Sequence, residues 1–197
     1  MKGEVSAELK RKSIHVIPGF LAYPVIIWIG RLAGIIISAF FLLLYTINEI
    51  SLRKGLNIKV PIAYDTYKIM ARQEERQGRY FTGTIYFWLL TLTTIILLDP
   101  QRAVAAIMIS SLGDAAAAIT GKAIDGPRWP FNKRKTLSGS LAMLATSISS
   151  CLIVGLQLPT SLLASLTATA IEASTRTSVL DELTVPLALL LVLLFSP

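Results

Sequence analysis

A few acids, one histidine and a lysine-rich run could do chemistry in a chain whose surroundings are otherwise apolar. Asp114 lies in Ser110-Ser111-Leu112-Gly113-Asp114-Ala115, seven residues before Gly121. At 1.5 Å per residue that is about 10 Å into a helix, with Ser110 one turn away on the same face. An ionisable residue in an apolar segment is expensive and points to function by default. A buried carboxylate there takes up a proton or needs a partner, and a divalent cation or a lysine would keep it charged. A structural salt bridge is the plainer use. Glu172 closes a later apolar block, and Asp181 and Glu182 follow in the next short connection. Carboxylates from different helices at one depth make an oxygen-ligand site for a hard cation, and magnesium suits it because it keeps waters and substrate phosphates in its shell. Asp114, Glu172 and Asp181 are the expected metal ligands. Asp181 and Glu182 would serve equally as an ordinary acidic helix start.

Between these acids runs Phe131-Asn132-Lys133-Arg134-Lys135-Thr136-Leu137-Ser138-Gly139-Ser140, with Lys122 shortly before it. Lysines, hydroxyls and backbone N–H groups converging at a helix start suit a phosphate. Lys122, Lys133, Lys135, Thr136, Ser138, Gly139 and Ser140 are therefore the expected nucleotide-binding residues. The GxxxxGK[ST] spacing of a Walker A loop is absent, since Gly113 and Gly121 stand eight apart and Ala123 follows Lys122. His15, the single histidine, follows Lys10-Arg11-Lys12-Ser13. It is a candidate proton acceptor, or a cap at the membrane interface. Asn48 and Glu49 read more simply, with Glu49 and Arg53 as an i,i+4 helix-end pair.

The elements that must position these residues are membrane helices. Of 197 residues 53% are hydrophobic and 16% charged, with a mean hydropathy of +0.62, against roughly 25% charged in soluble domains. A bilayer core about 30 Å thick takes roughly 17–25 residues per helix. Spans are expected near 14–30, 32–50, 84–98, 101–120, 137–156, 159–175 and 183–195, with Pro18, Pro24 and Pro186 starting or kinking helices. Small residues such as Ala115, Gly139 and Ala168 concentrate in the fourth to sixth, which should pack closely at the centre. Seventeen of the 19 Lys and Arg fall in the N-terminus and alternate connections, leaving only Arg31 and Arg102 on the other side. Positive residues stay inside, so the expectation is an all-α, polytopic bundle of about seven transmembrane helices with a cytoplasmic N-terminus. It forms one membrane domain over 1–197 in the cell membrane. Its 51–80 connection reads as an amphipathic surface helix or a lid, and its 121–136 loop as a basic cytoplasmic segment. This charge distribution argues against nucleic acid as the partner of a +7 chain. Cys151, alone in an apolar block, is read as packing, and no cleavable leader is expected because the first apolar block lacks a small-residue cleavage site.

The order of motifs resembles the polyprenol kinase family, which includes dolichol kinases, phytol kinases and CTP-dependent diacylglycerol kinases. The similarity rests on Arg11-Lys12-x-x-His15-x-x-x-Gly19, Gly113-Asp114-Ala115-x-Ala117 with Gly121-Lys122, Lys135-Thr136-Leu137-Ser138-Gly139-Ser140, Glu172, and Asp181-Glu182-Leu183-Thr184-Val185-Pro186. The family usually has Asn at the position of Glu182. The resemblance implies transfer of the γ-phosphoryl group of CTP, with magnesium, to an isoprenoid alcohol or diacylglycerol at the cytoplasmic face. By analogy Asp114, Glu172, Asp181 and His15 are the expected catalytic group. CTP in place of ATP rests on this resemblance alone, while the alcohol and the oligomeric state, a homo-oligomer included, are left open. A lipid-phosphate cytidylyltransferase and a membrane transporter are the rival expectations. The crowding of polar residues on one face, without a visible repeat, speaks against the transporter.

Overall fold

The computed structural model describes residues 2–56, 58–124 and 126–196. Among these the chain is helical, with one isolated bridge between Arg128 and Thr136. It runs through α1 (Lys2–His15), α2 (Ile17–Tyr23) with π-helical turns over Pro24–Ile29, and α3 (Arg31–Lys54). Two short helices follow, α4 (Ala63–Met70) and α5 (Gln73–Gly78), then α6 (Thr82–Leu97). The second half holds α7 (Pro100–Met108), a π stretch over Ile109–Gly113, α8 (Asp114–Ala123), α9 (Leu137–Ile153), α10 (Leu158–Ser174) and α11 (Ser178–Phe195). Each expected span is helical over most of its length, with breaks at 16, 30, 98, 154–156 and 175. Three continuous runs, Glu8–Ile29, Arg31–Lys54 and Pro100–Ala123, are long and apolar enough to cross a membrane, and Thr82–Leu97 and Leu137–Ile153 are shorter apolar helices.

Exposed apolar side chains agree with a lipid setting. Phe20, Trp28 and Leu32 are 66%, 75% and 69% exposed, and water-facing surfaces rarely carry such a belt. The chain is a helical membrane protein. The run Pro100–Ala123 is its hub, with 67% of its most apolar window buried against 28% for each of the first two. Around it α8 packs on α9, α9 on α10, α10 on α11, α11 on α6 and α6 on α3.

Small residues set the closest approaches. A Cβ on Gly139 would stand 2.8 Å from the Ala117 carbonyl oxygen, and one on Gly121 would stand 2.8 Å from Thr136 Oγ1. These two glycines let α8 and the start of α9 touch backbone to backbone. Gly139→Ala is expected to cost about 1–3 kcal/mol through this clash. The unfolding midpoint of the detergent-solubilised protein should fall by several degrees, and an unchanged midpoint would disprove the close contact.

A second approach joins α2 to the hub. A Cβ on Gly19 would lie 2.8 Å from Leu112 Cγ and 3.0 Å from Ser111 Cβ, while the Gly19 N–H donates to Ser111 Oγ at 3.3 Å. The Ser111 hydroxyl donates in turn to the His15 carbonyl at 2.5 Å. Thus Lys12, His15 and Gly19, which share one helical face by their i, i+3, i+7 spacing, are all applied to the segment that carries Asp114.

The 51–80 connection does more than lie on a surface. Tyr67 and Ala71 are buried with Tyr45 and Phe81 in a second apolar cluster, and α4 packs on α1 and α3. Glu49 anchors the far end of this connection. Its carboxylate accepts from the Phe81 N–H at 2.5 Å, from Thr82 Oγ1 at 2.7 Å and from Arg53 Nε at 2.7 Å, so the expected helix-end pair also caps α6.

Candidate functional site

Asp114 begins α8 directly after the π stretch Ile109–Gly113. A π-turn carries an extra residue per turn and often sits at functional sites. Here it re-aims the residue that follows it towards the first helix. Lys12 pairs with Asp114, and His15 Nε2 lies 3.1 Å from the same carboxylate oxygen. On its other side His15 Nδ1 stands 3.7 Å from Glu182 Oε1. Lys12 and His15 are both buried, so their contacts are shielded from water and stronger than a surface pair. The carboxylate is paired with a lysine, one of the two partners expected for it.

Ligand atoms of His15, Asp114 and Glu182 all lie within 4.8 Å of one another. The grouping differs from the expected metal set, because Glu172 and Asp181 are held by Lys135 instead. Lys135 pairs with Glu172 and lies 2.9 Å from Asp181 Oδ2. Burial works against the charge of Lys135, but Asp181 and Glu172 outweigh it and push the ammonium above the usual lysine range. The second Asp181 oxygen, Oδ1, is buried with no hydrogen-bond donor among the described residues. That bare oxygen belongs to a residue lining the same chamber as the Asp114 and Glu182 carboxylates, and carboxylate oxygens suit a hard divalent cation. Sequence reading left Glu182 evenly balanced between a cation site and an acidic helix start, and did not count it among the expected ligands. Its place against His15 comes from packing, and only the i, i+1 adjacency to Asp181 hinted at it.

Above this acidic floor lies a polar chamber of about 570 Å³. Asp114, Glu172, Asp181, Lys122, Lys135, Thr136, Gly139 and Ser140 all line it, as expected from the sequence. Thr136 is the N-cap of α9 and its Oγ1 accepts from the Gly139 N–H at 3.1 Å. The loop before it is pinned from within: Asn132 Nδ2 donates to the Ala173 and Thr175 carbonyls at 2.9 Å each, and Trp129 Nε1 donates to Ser140 Oγ at 3.0 Å. Two expected nucleotide ligands lie off the chamber wall. Lys133 is exposed on the loop, and the Ser138 hydroxyl is turned back onto Thr136 Oγ1 at 3.1 Å and the Ile124 carbonyl at 3.4 Å. A turn closed by the Lys135 N–H on the Asn132 carbonyl at 3.1 Å breaks the extended alternation that would have put both lysines on one side, and Lys133 is left in solvent.

The other basic residues divide into paired and unpaired. Lys122 lies 2.6 Å from Glu8 Oε2, and Arg11 also pairs with Glu8. Arg72, Arg134 and Arg176 line the chamber and make no ion pair with a carboxylate among the described residues. Burial, then the adjacent Arg11, pushes Arg72 below the usual arginine range. Guanidinium groups on a chamber wall without an ion-pair partner are available to an anion, and their planar forks match phosphate oxygens two at a time. Arg72 comes from the 51–80 connection, which with Glu74 and Tyr80 forms part of the chamber wall.

Fold and site together define an all-helical membrane protein with a charged chamber against its most buried helix. Comparison with family models, with curated proteins and with solved structures returns no match to any of them.

Proposed function

We propose that this chain is a membrane lipid-alcohol kinase that moves the γ-phosphoryl group of CTP onto a lipid hydroxyl. The observation that carries this reading is that the polar chamber and a separate apolar groove share Glu182 as a wall residue, beside the His15–Asp114 contact. A water-soluble phosphate donor and a membrane-embedded acceptor need such a junction. The motif order set out above supports the choice of CTP and of an alcohol acceptor. In this reading the chain crosses the membrane about seven times with its N-terminus and chamber in the cytoplasm, supported by the placement of 17 of 19 basic residues.

Phosphoryl transfer asks a protein mainly for positioning and charge neutralisation. Lys122, Lys135 and the arginines at 72, 134 and 176 hold the phosphate chain of the nucleotide. Asp114 and Asp181 would hold magnesium, which supplies neutralisation of charge on the transferring group. Glu182, at the mouth of the groove, accepts the hydroxyl proton. The alcohol oxygen forms its bond to the γ-phosphorus as the bond from that phosphorus to the β–γ bridging oxygen breaks. CDP leaves with that electron pair, and the products are a lipid phosphate, CDP and one proton. His15 holds Glu182 and Asp114 in position from between them.

Purified protein given CTP and magnesium is expected to release CDP only when a lipid alcohol is added, and EDTA should stop the release. CDP formation at the same rate without any alcohol would contradict the acceptor assignment.

A further inference from the structure

An apolar groove of about 250 Å³ runs from His15 and Glu182 into the helical bundle. Its walls are three stretches of similar length: Ile14 to Ile26, which crosses the break between α1 and α2, Tyr45 back to Gly34, and Thr84 to Ile95. The two regular helical stretches each cover eleven residue steps, about 16 Å at 1.5 Å per residue. The charged side chains are at the His15 end, the hydroxyls of Ser38 and Thr91 lie further in, and the middle is aromatic, with Phe41 and Trp88 stacked at 4.6 Å between centroids. The far end is pinched: a Cβ on Gly34 would stand 3.0 Å from Ile26 Cγ1 and 3.4 Å from Ile95 Cδ1. Leu21, 52% exposed, lies on the groove's open flank, so a chain can enter sideways from lipid.

We propose that this groove seats the hydrocarbon chain of the acceptor and measures it, with Gly34, Ile26 and Ile95 setting the length read. This rests on the lipid-alcohol reading above. The occupant is a single-chain alcohol with its hydroxyl between His15 and Glu182, because the groove meets the charged chamber only there. A zigzag of 1.5 Å bonds at about 111° advances roughly 1.25 Å per carbon. The groove therefore reads about 13 carbons, and the excess of a longer chain leaves by the open flank at Leu21 without further gain. Gly34 stands at the closed end, where the last of these carbons abuts Ile26 and Ile95. Any larger residue there fills the end of the groove, while removal of the Ile26 side chain extends it.

Two readouts test this separately from catalysis. Trp88 stands four residues beyond Thr84, about 6 Å from the groove mouth, or roughly five carbons along the chain. In nanodiscs without nucleotide, dodecan-1-ol brominated at carbon 5 is expected to quench fluorescence saturably. The quenching should be lost in Trp88→Phe and weaker with bromine at carbon 12. Unsaturable quenching, equal for both positions, would overturn the proposal. In the second readout, kcat/KM for n-alkanols of 8 to 20 carbons should rise to about 13 carbons and then level. Gly34→Leu should move that level about three carbons shorter, and Ile26→Ala should move it longer, so one variant suffices if the other does not fold. Turnover with a length profile unmoved in either variant contradicts the groove and leaves the kinase reading standing. Saturable, position-dependent quenching without turnover supports the groove and removes the kinase.

Discussion

Replacing Asp114 with asparagine is expected to lower turnover about 10³-fold, equivalent to about 4 kcal/mol of transition-state stabilisation, while the protein still folds. The carboxylate receives Lys12 and His15 and lies within ligand distance of Glu182, so one residue links the first helix, the hub and the end of the chain. Asparagine retains an oxygen for Lys12 but not the charge. Alanine would instead leave a buried ammonium unpaired, a loss of about 3–5 kcal/mol in stability, and activity would then disappear for the wrong reason. The pair can be separated. Lys12→Met with Asp114→Asn removes both charges and should recover the unfolding midpoint without recovering turnover. Near-normal turnover in Asp114→Asn would mean that the carboxylate is only a structural anchor for Lys12.

The second large effect is expected at Lys135. Lys135→Met leaves Glu172 and Asp181 facing each other without the ammonium between them, and should destabilise the protein by about 3–5 kcal/mol. Affinity for CTP should fall as well, by about 10²-fold, from loss of a buried phosphate contact worth up to about 3 kcal/mol. Adding Glu172→Gln and Asp181→Asn should restore stability and leave CTP binding weak. The pH dependence has a definite sign. The ammonium's pKa is raised above 10.5 in the folded protein, so its contribution is complete below that value and declines only as pH rises through the folded value. Burial, opposed by Lys135, pushes the Asp181 carboxyl up to about 7, and without the ammonium it rises further. The unfolded chain ionises this acid while the folded variant resists it, so the stability lost in Lys135→Met should grow from pH 7 to pH 9. A loss that shrank across that interval would show that the pair is not charged as described.

Much of the architecture was readable from blocks of hydrophobicity, because a bilayer demands helices of nearly fixed length. The glycines were legible for the same reason: Gly121 and Gly139 stand where α8 and α9 touch. The π stretch before Asp114 was not, since one extra residue in a turn leaves no mark on an apolar run. The chamber-facing acids and Lys135 could be read from their position at one end of successive helices. Their partners could not. Lys12 and Asp114 are 102 residues apart, and which face of the first helix meets the hub is set by packing contacts such as Gly19–Ser111 and His15–Ser111. Arg72 was hidden in a segment whose alternating charges also suit a membrane surface, and its role in the chamber wall depends on how α4 folds over α1. Lys133 and Lys135 are the same residue type two positions apart, and the loop's local conformation alone separates exposed from chamber-facing.

The most direct test of the central claim uses CTP labelled separately at the γ- and α-phosphates, with the protein in lipid, magnesium and a panel of single-chain alcohols and lipid phosphates. The account predicts γ-label in a lipid phosphate, α-label remaining in CDP, and no product in Asp114→Asn. Label entering lipid only from the α-position would make the chain a cytidylyltransferase, and no transfer from either position would contradict phosphoryl chemistry altogether.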